Sequence, residues 1–139
     1  MHLSFALFAD GANLSQEGKL NILGVFDAMQ VTAFPSVHPR AHLVVRLKGS
    51  RADAGAHQVV FSWKNPEGKE LWSSTGQLDI GAPPPGVTDI DMPLIAPIDL
   101  PLDQPGLYTM NILLDGERQG ELRLHVRDVA APMPGTMVS

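Results

Sequence analysis

Leu107-Tyr108-Thr109-Met110-Asn111-Ile112-Leu113-Leu114 and Gln119-Gly120-Glu121-Leu122-Arg123-Leu124-His125-Val126 are separated by Asp115-Gly116-Glu117-Arg118. An aspartate–glycine pair between two apolar-rich runs predicts a β-hairpin, because both residues accept the left-handed backbone that a tight hairpin turn requires. In the second run Leu122, Leu124 and Val126 alternate with Glu121, Arg123 and His125, so one face is dry and the other wet. The same period of two recurs upstream. His42 to Lys48 sets Leu43, Val45 and Leu47 against Val44, Arg46 and Lys48, and His57 to Lys64 places Val59, Phe61 and Trp63 together. Asn65-Pro66-Glu67-Gly68 has proline and glycine placed for a turn, so Lys69 to Ile80 is expected to pair back as a second hairpin with Trp63 and Trp72 near each other.

The remaining segments are less regular. Leu3 to Ala9 reads as a strand apolar enough to be buried on both sides or to sit at an interface. Asp10 to Asn13 is expected to leave that strand, and Leu14 to Lys19 reads as a loop. A second strand, Leu20 to Val31, is interrupted by Gly24, a residue that inside a strand marks a bulge or a close backbone approach. Pro35 and Pro39 bracket a connection that is not expected to be a central strand, since each lacks the amide proton of a ladder. Gly81 to Gly86, with its triple proline, is a stiff connection. Val87 to Leu102 carries Pro93, Pro97 and Pro101, which restricts it to an edge or bulged strand.

No window long enough for a helix keeps an i, i+3, i+4, i+7 stripe. The expectation is an all-β chain: a two-layer antiparallel β-sandwich, immunoglobulin-like or C2-like, of about eight strands. One domain is expected over 1–128, followed by a flexible tail at 129–139. Composition agrees, with 44% of 139 residues apolar and with 13 glycines and 12 prolines as punctuation. Tyr108, the only tyrosine, stands at the start of a late strand, where sandwich domains use the hydroxyl to bond back to a connecting corner.

Several functions are disfavoured by counting. There is no cysteine, so no disulfide framework, thiolate metal site or cysteine nucleophile is available. A net charge of −5 without a lysine or arginine run removes the attraction that drives non-specific nucleic-acid binding. No apolar run approaches the ~20 residues of a membrane-spanning helix, and Met1-His2-Leu3-Ser4 lacks the basic start of a signal peptide, so neither nucleic acid nor membrane is an expected partner and the expected compartment is the cytoplasm. Phosphate-binding loops and the Gly-x-Ser-x-Gly elbow are absent. His38 and His42 are separated by Pro39, which removes a helical metal pair; His57 and His125 read as surface histidines, and His2 adds nothing. Asp79, Asp89, Asp91, Asp99 and Asp103 crowd one quarter without the spacing of a calcium loop, and Asp89 and Asp91, at a period of two, suit the solvent face of a guarded edge strand. No catalytic residue, cofactor or metal is expected, and the chain reads as a non-enzyme.

Phe5-Ala6-Leu7-Phe8-Ala9-Asp10-Gly11-Ala12-Asn13, Gly18-Lys19-Leu20-Asn21-Ile22-Leu23-Gly24-Val25-Phe26-Asp27, Phe34-Pro35 and His38-Pro39-Arg40 together resemble a family of small bacterial proteins known only as a domain of unknown function. The similarity continues through Leu43 to Gly49 and Gly106-Leu107-Tyr108 to Asp115-Gly116. The resemblance implies a stand-alone β-sandwich and carries no activity, cofactor or site residue. Two functional readings follow from the residues. The first is a protein-binding or assembly module that self-associates, because the first strand and Leu94-Ile95-Ala96-Pro97-Ile98 offer more apolar surface than one core needs. The second is a carbohydrate or small-molecule binding domain in which Trp63 or Trp72 stacks on a ring, although Trp63 shares the face of Val59 and Phe61, which favours the core.

Overall fold

The computed structural model describes residues 1–129. Nine strands run in chain order: β1 (His2–Leu14), β2 (Leu20–Phe26), β3 (Ala28–Val31), β4 (Ser36–Ser50), β5 (Gly55–Lys64), β6 (Glu70–Ile80), β7 (Asp89–Leu102), β8 (Gly106–Leu114) and β9 (Glu117–Asp128). They form two sheets, β2-β1-β4-β7 and β3-β9-β8-β5-β6. The all-β sandwich is therefore as expected. Both anticipated hairpins close: Asp115 and Gly116 have φ of 52° and 82° at the β8–β9 turn, and Trp63 lies directly opposite Trp72 across β5 and β6. Beyond residue 129 the expected tail lies outside the described residues; at Val129 itself the N–H donates to the Val31 carbonyl at 3.1 Å.

Three expectations need correction. The strand read over Leu20 to Val31 is two strands, and the break falls at Asp27 rather than Gly24. There the chain crosses between the sheets, and β3 joins β9 in parallel, the one departure from antiparallel pairing among the described residues. This is why nine strands replace eight. The Pro35–Pro39 segment is not a simple connection, because β4 already starts at Ser36 and has neighbours on both sides. Pro39 is tolerated because the β4–β7 ladder shifts register between His38 and Ala41, with Arg40 at φ 56°, and because β1 pairs with β4 only from His42 onward. The missing amide proton falls in the bulge.

The third correction concerns β1, which does not end at Ala9. It continues to Leu14 and forms a two-stranded arm with β2. Gly24, at φ 71°, sits opposite Asp10 where the arm leaves the sheet, and a Cβ there would lie 2.4 Å from Asp10 Oδ2. Residues Gly18 to Leu20 at the far end of the arm line one cleft with Arg46, Asp91 and Pro93. Arg46 is opposite Phe5, and a straight β1 would carry Leu14 roughly 30 Å beyond that point. The arm accordingly turns back across the outer side of the four-stranded sheet. Ala9 and Val44, which face away from the main core, are fully buried in keeping with that cover.

Between the sheets, Phe8, Leu43, Val45 and Leu47 of one layer meet Trp63, Tyr108, Met110, Ile112 and Leu124 of the other. The Tyr108 hydroxyl reaches back to the β7–β8 connection, accepting from the N–H groups of Asp103 (2.9 Å) and Gln104 (3.0 Å) and donating toward Asp103 Oδ1 and the Gln104 carbonyl. Burial raises its pKa to about 12, with hydrogen bonds to the corner acting in both directions. Tyr108→Phe leaves those two amide donors without their acceptor. It is expected to lower the stability measured by urea unfolding by about 1–3 kcal/mol while the far-ultraviolet dichroism of the folded state stays unchanged; an unchanged midpoint would show the corner to be dispensable.

Candidate functional site

Trp63 is fully buried, its ring stacked on Tyr108 with centroids 5.2 Å apart and its Nε1 donating to the Pro101 carbonyl at 2.9 Å. It has no free face for a sugar ring. Trp72 is half-buried beside the core, and its Nε1 is buried without a partner. The two indoles therefore do not make an open platform. The histidines are dispersed as well: His2 and His125 are exposed, His38 packs edge-on against Phe26, and His42 faces away from the core with Nδ1 buried and unpartnered. Three of the five aspartates of the proline-rich quarter have separate partners. Asp91 pairs with Arg46, Asp99 accepts the Arg40 N–H, and Asp103 accepts from Asn65 and Tyr108. Among the described residues no group of three or more His, Asp or Glu could hold a metal ion.

What distinguishes the surface is the unequal treatment of its four sheet edges. β7 carries Pro93, Pro97 and Pro101, so a strand docking there would lack three amide donors. β3 has four residues. β6 presents exposed Ser73, Ser74, Thr75, Gln77 and Asp79. The edge strand β2, Leu20-Asn21-Ile22-Leu23-Gly24-Val25-Phe26, has none of these protections: it carries no charge and no proline. Leu23 is 75% exposed and Val25 60%, the two most exposed large apolar side chains among the described residues. On the same side of the arm, Asn21 Nδ2 donates to Asn13 Oδ1 at 2.9 Å and fixes the polar end of the strip.

Sequence reading missed Leu23 and Val25 as surface residues, since an uncharged run is the ordinary signature of a buried strand. The local signal was Gly24 between them, whose left-handed backbone stands opposite Asp10 where the arm leaves the ladder with β4. These features define a β-sandwich with three guarded edges and one open apolar edge, carried on a folded-back hairpin. Residues 4–127 match the family of unknown function DUF6941, and the chain belongs to that family. No curated protein matches the sequence. Among the described residues no helix is long and apolar enough to cross a membrane.

His57 is the one histidine with a defined electrostatic role. Its Nδ1 lies 2.6 Å from Asp115 Oδ2 and its Nε2 2.5 Å from the Asp53 carbonyl, so both ring nitrogens face acceptors and only the imidazolium supplies a donor to each. The Asp115 carboxylate, and then the Asp53 carbonyl, raise the His57 pKa above its usual value. A raised folded pKa contributes stability that is fully present below the unfolded value of about 6.5 and lost as pH rises through the folded value. The stability difference between the native protein and His57→Gln is expected to be larger at about pH 6 than at about pH 9. Urea midpoints at both pH values check this, and a difference independent of pH would overturn it.

Proposed function

We propose that this protein is a non-catalytic, protein-binding assembly module that associates with a second copy of itself through the β2 edge. The observation that carries this reading is the contrast between the open, uncharged β2 and the three protected edges. A chain with a net charge of −5 repels its own copy over most of its surface; of the two edge strands without a charge, β2 with seven residues is longer than β3 with four, and two copies can pair along it without opposing like charges. Antiparallel pairing of β2 with β2 is two-fold symmetric, so the contact closes at a dimer and does not propagate as a fibre. Leu23 and Val25 would be removed from water in that contact, and at ~25 cal/mol per Å² their burial favours association. A cysteine-free chain is compatible with the reducing cytoplasm, where we place the assembly.

Light scattering across a dilution series tests the reading. The native protein is expected to exceed the 15.0 kDa of one chain at high concentration and to fall toward it on dilution. The double variant Leu23→Lys with Val25→Lys should remain at the mass of one chain throughout, whereas Thr75→Lys on the β6 edge should behave as the native protein does. A native protein that stays monomeric at the highest concentration, or a β6 variant that alone dissociates it, overturns the proposal.

A further inference from the structure

Two aspartate–glycine pairs occur in the chain, Asp10-Gly11 and Asp115-Gly116, and asparagine–glycine does not occur. In such a pair the glycine carries no Cβ to shield its amide nitrogen, which makes that nitrogen the one best able to reach the carboxyl carbon of the residue before it. The structure treats the two pairs in opposite ways.

Asp115 is held by both carboxylate oxygens. Oδ1 accepts the Gln58 N–H at 2.9 Å, and Oδ2 lies 2.6 Å from His57 Nδ1. The Gln58 N–H, and then His57, keep this carboxyl below its usual pKa, so little of it carries the proton that lets an oxygen leave as water. Gly116, at φ 82°, has the left-handed backbone that the β8–β9 turn requires. Here the turn explains the glycine and the clamp explains the aspartate.

Neither explanation covers Asp10-Gly11. Asp10 is exposed, and its carboxylate has no hydrogen-bond or ion-pair partner among the described residues. Gly11 has no left-handed backbone, and a Cβ placed on it would meet nothing within 4 Å, so the fold has room for alanine there. The backbone is also less firmly held at this point. The β1–β4 ladder ends at Ala9, and the β1–β2 register passes over Asp10 and Gly24 between the Ala9–Val25 and Gly11–Leu23 pairs.

We propose that Asp10-Gly11 is a site of spontaneous isoaspartate formation, and that His57 and Gln58 protect Asp115-Gly116 from the same reaction. The Gly11 nitrogen loses its proton and bonds to Cγ of Asp10, while the carboxyl group gives up one oxygen as water; the product is a five-membered succinimide. Water then adds at the α-carbonyl and breaks its bond to the Gly11 nitrogen, so the chain continues through the Asp10 side chain. One water is released and one consumed, and the mass is unchanged. The backbone gains one carbon, and the former α-carbonyl becomes a free carboxylate. This insertion falls at the root of the β1–β2 arm, where it breaks the alternation of faces from Gly11 onward. The new carboxylate is the group that a methyltransferase of the isoaspartate-repair class esterifies. The reaction itself does not depend on any pairing of copies at β2.

The test ages the full chain for several weeks in neutral buffer, folded and, as a control, unfolded in guanidinium chloride. Tryptic peptides Met1–Lys19 and Glu70–Arg118 are then separated and fragmented, and isoaspartate is read as unchanged mass, shifted elution and methylation by a repair methyltransferase from labelled S-adenosylmethionine. In the folded chain, conversion at Asp10 is expected to exceed conversion at Asp115 by at least about tenfold, the rate equivalent of the charge-assisted hydrogen bonds on the second carboxylate. In the unfolded chain the two pairs should convert at similar rates. Gly11→Ala should fold as the native protein does and suppress conversion in Met1–Lys19, and His57→Gln should raise it in Glu70–Arg118. The proposal is overturned by a folded chain in which Asp10 stays unconverted while the unfolded chain converts, or in which both pairs convert equally. Undiminished conversion in Gly11→Ala, or an Asp115 as inert in His57→Gln as in the native protein, would overturn it too.

Discussion

The Trp63 indole holds the two sheets in register. On its own sheet it stacks on Tyr108, and across the core it meets the edge of Phe8 from β1 at 5.9 Å and donates its N–H to the Pro101 carbonyl of β7. One side chain thus joins β5 and β8 to β1 and β7. The hydrogen bond also uses a carbonyl on the strand least able to supply amide donors, since Pro101 has none. Around this contact the same end of the sandwich is fastened further. Asn65 Nδ2, in the β5–β6 turn, donates to Asp103, which also accepts from Tyr108. Gly106 approaches that turn so closely that a Cβ would lie 2.7 Å from Pro66 Cγ. A larger residue at 106 would push the turn off the corner that Tyr108 closes.

The parts of this fold that were legible in the sequence are those where one face of a strand meets water. β9 alternates cleanly because its outer side is solvated, with Glu121, Arg123 and His125 exposed and Leu124 and Val126 buried, and the Asn65–Gly68 and Asp115-Gly116 turns carry their own backbone chemistry. The unreadable parts are those decided by tertiary contact. β1 is apolar on both sides because one side faces the core and the other lies under the arm, and nothing within Leu3 to Ala9 separates that from an exposed interface. The passage from β2 to β3 at Asp27 is secured from outside the segment: the His125 N–H of β9 donates to the Asp27 carbonyl at 2.8 Å. Pro39 argued against a strand on sound local grounds, and the bulge that accommodates it depends on β1 ending its pairing with β4 at His42.

The candidate site was legible to a smaller degree, for the same reason. The tryptophans drew notice as large, rare side chains, yet their size is what the core uses. Leu23 and Val25 are unremarkable until the sheet order makes β2 an edge. What the sequence did contain was the grouping of prolines between Pro93 and Pro101, which identifies one guarded edge and so directs attention to the opposite one.

That opposition bears on how the open edge should be interpreted. Unprotected edge strands are an aggregation hazard, and this chain protects the other three by different means: prolines on β7, shortness on β3, exposed polar side chains on β6. A fold that had merely lost its protection through drift would not be expected to lose it on one strand alone while that strand is also free of charge. The β2 strand further sits on an arm whose bend requires a left-handed backbone at Gly24 and leaves room there only for the Asp10 side chain. The arm folds back over the outer side of the sheet and still leaves Leu23 and Val25 exposed. Exposure at β2 therefore goes with a specific backbone geometry at Gly24, and that is the feature on which the proposed pairing of two copies rests.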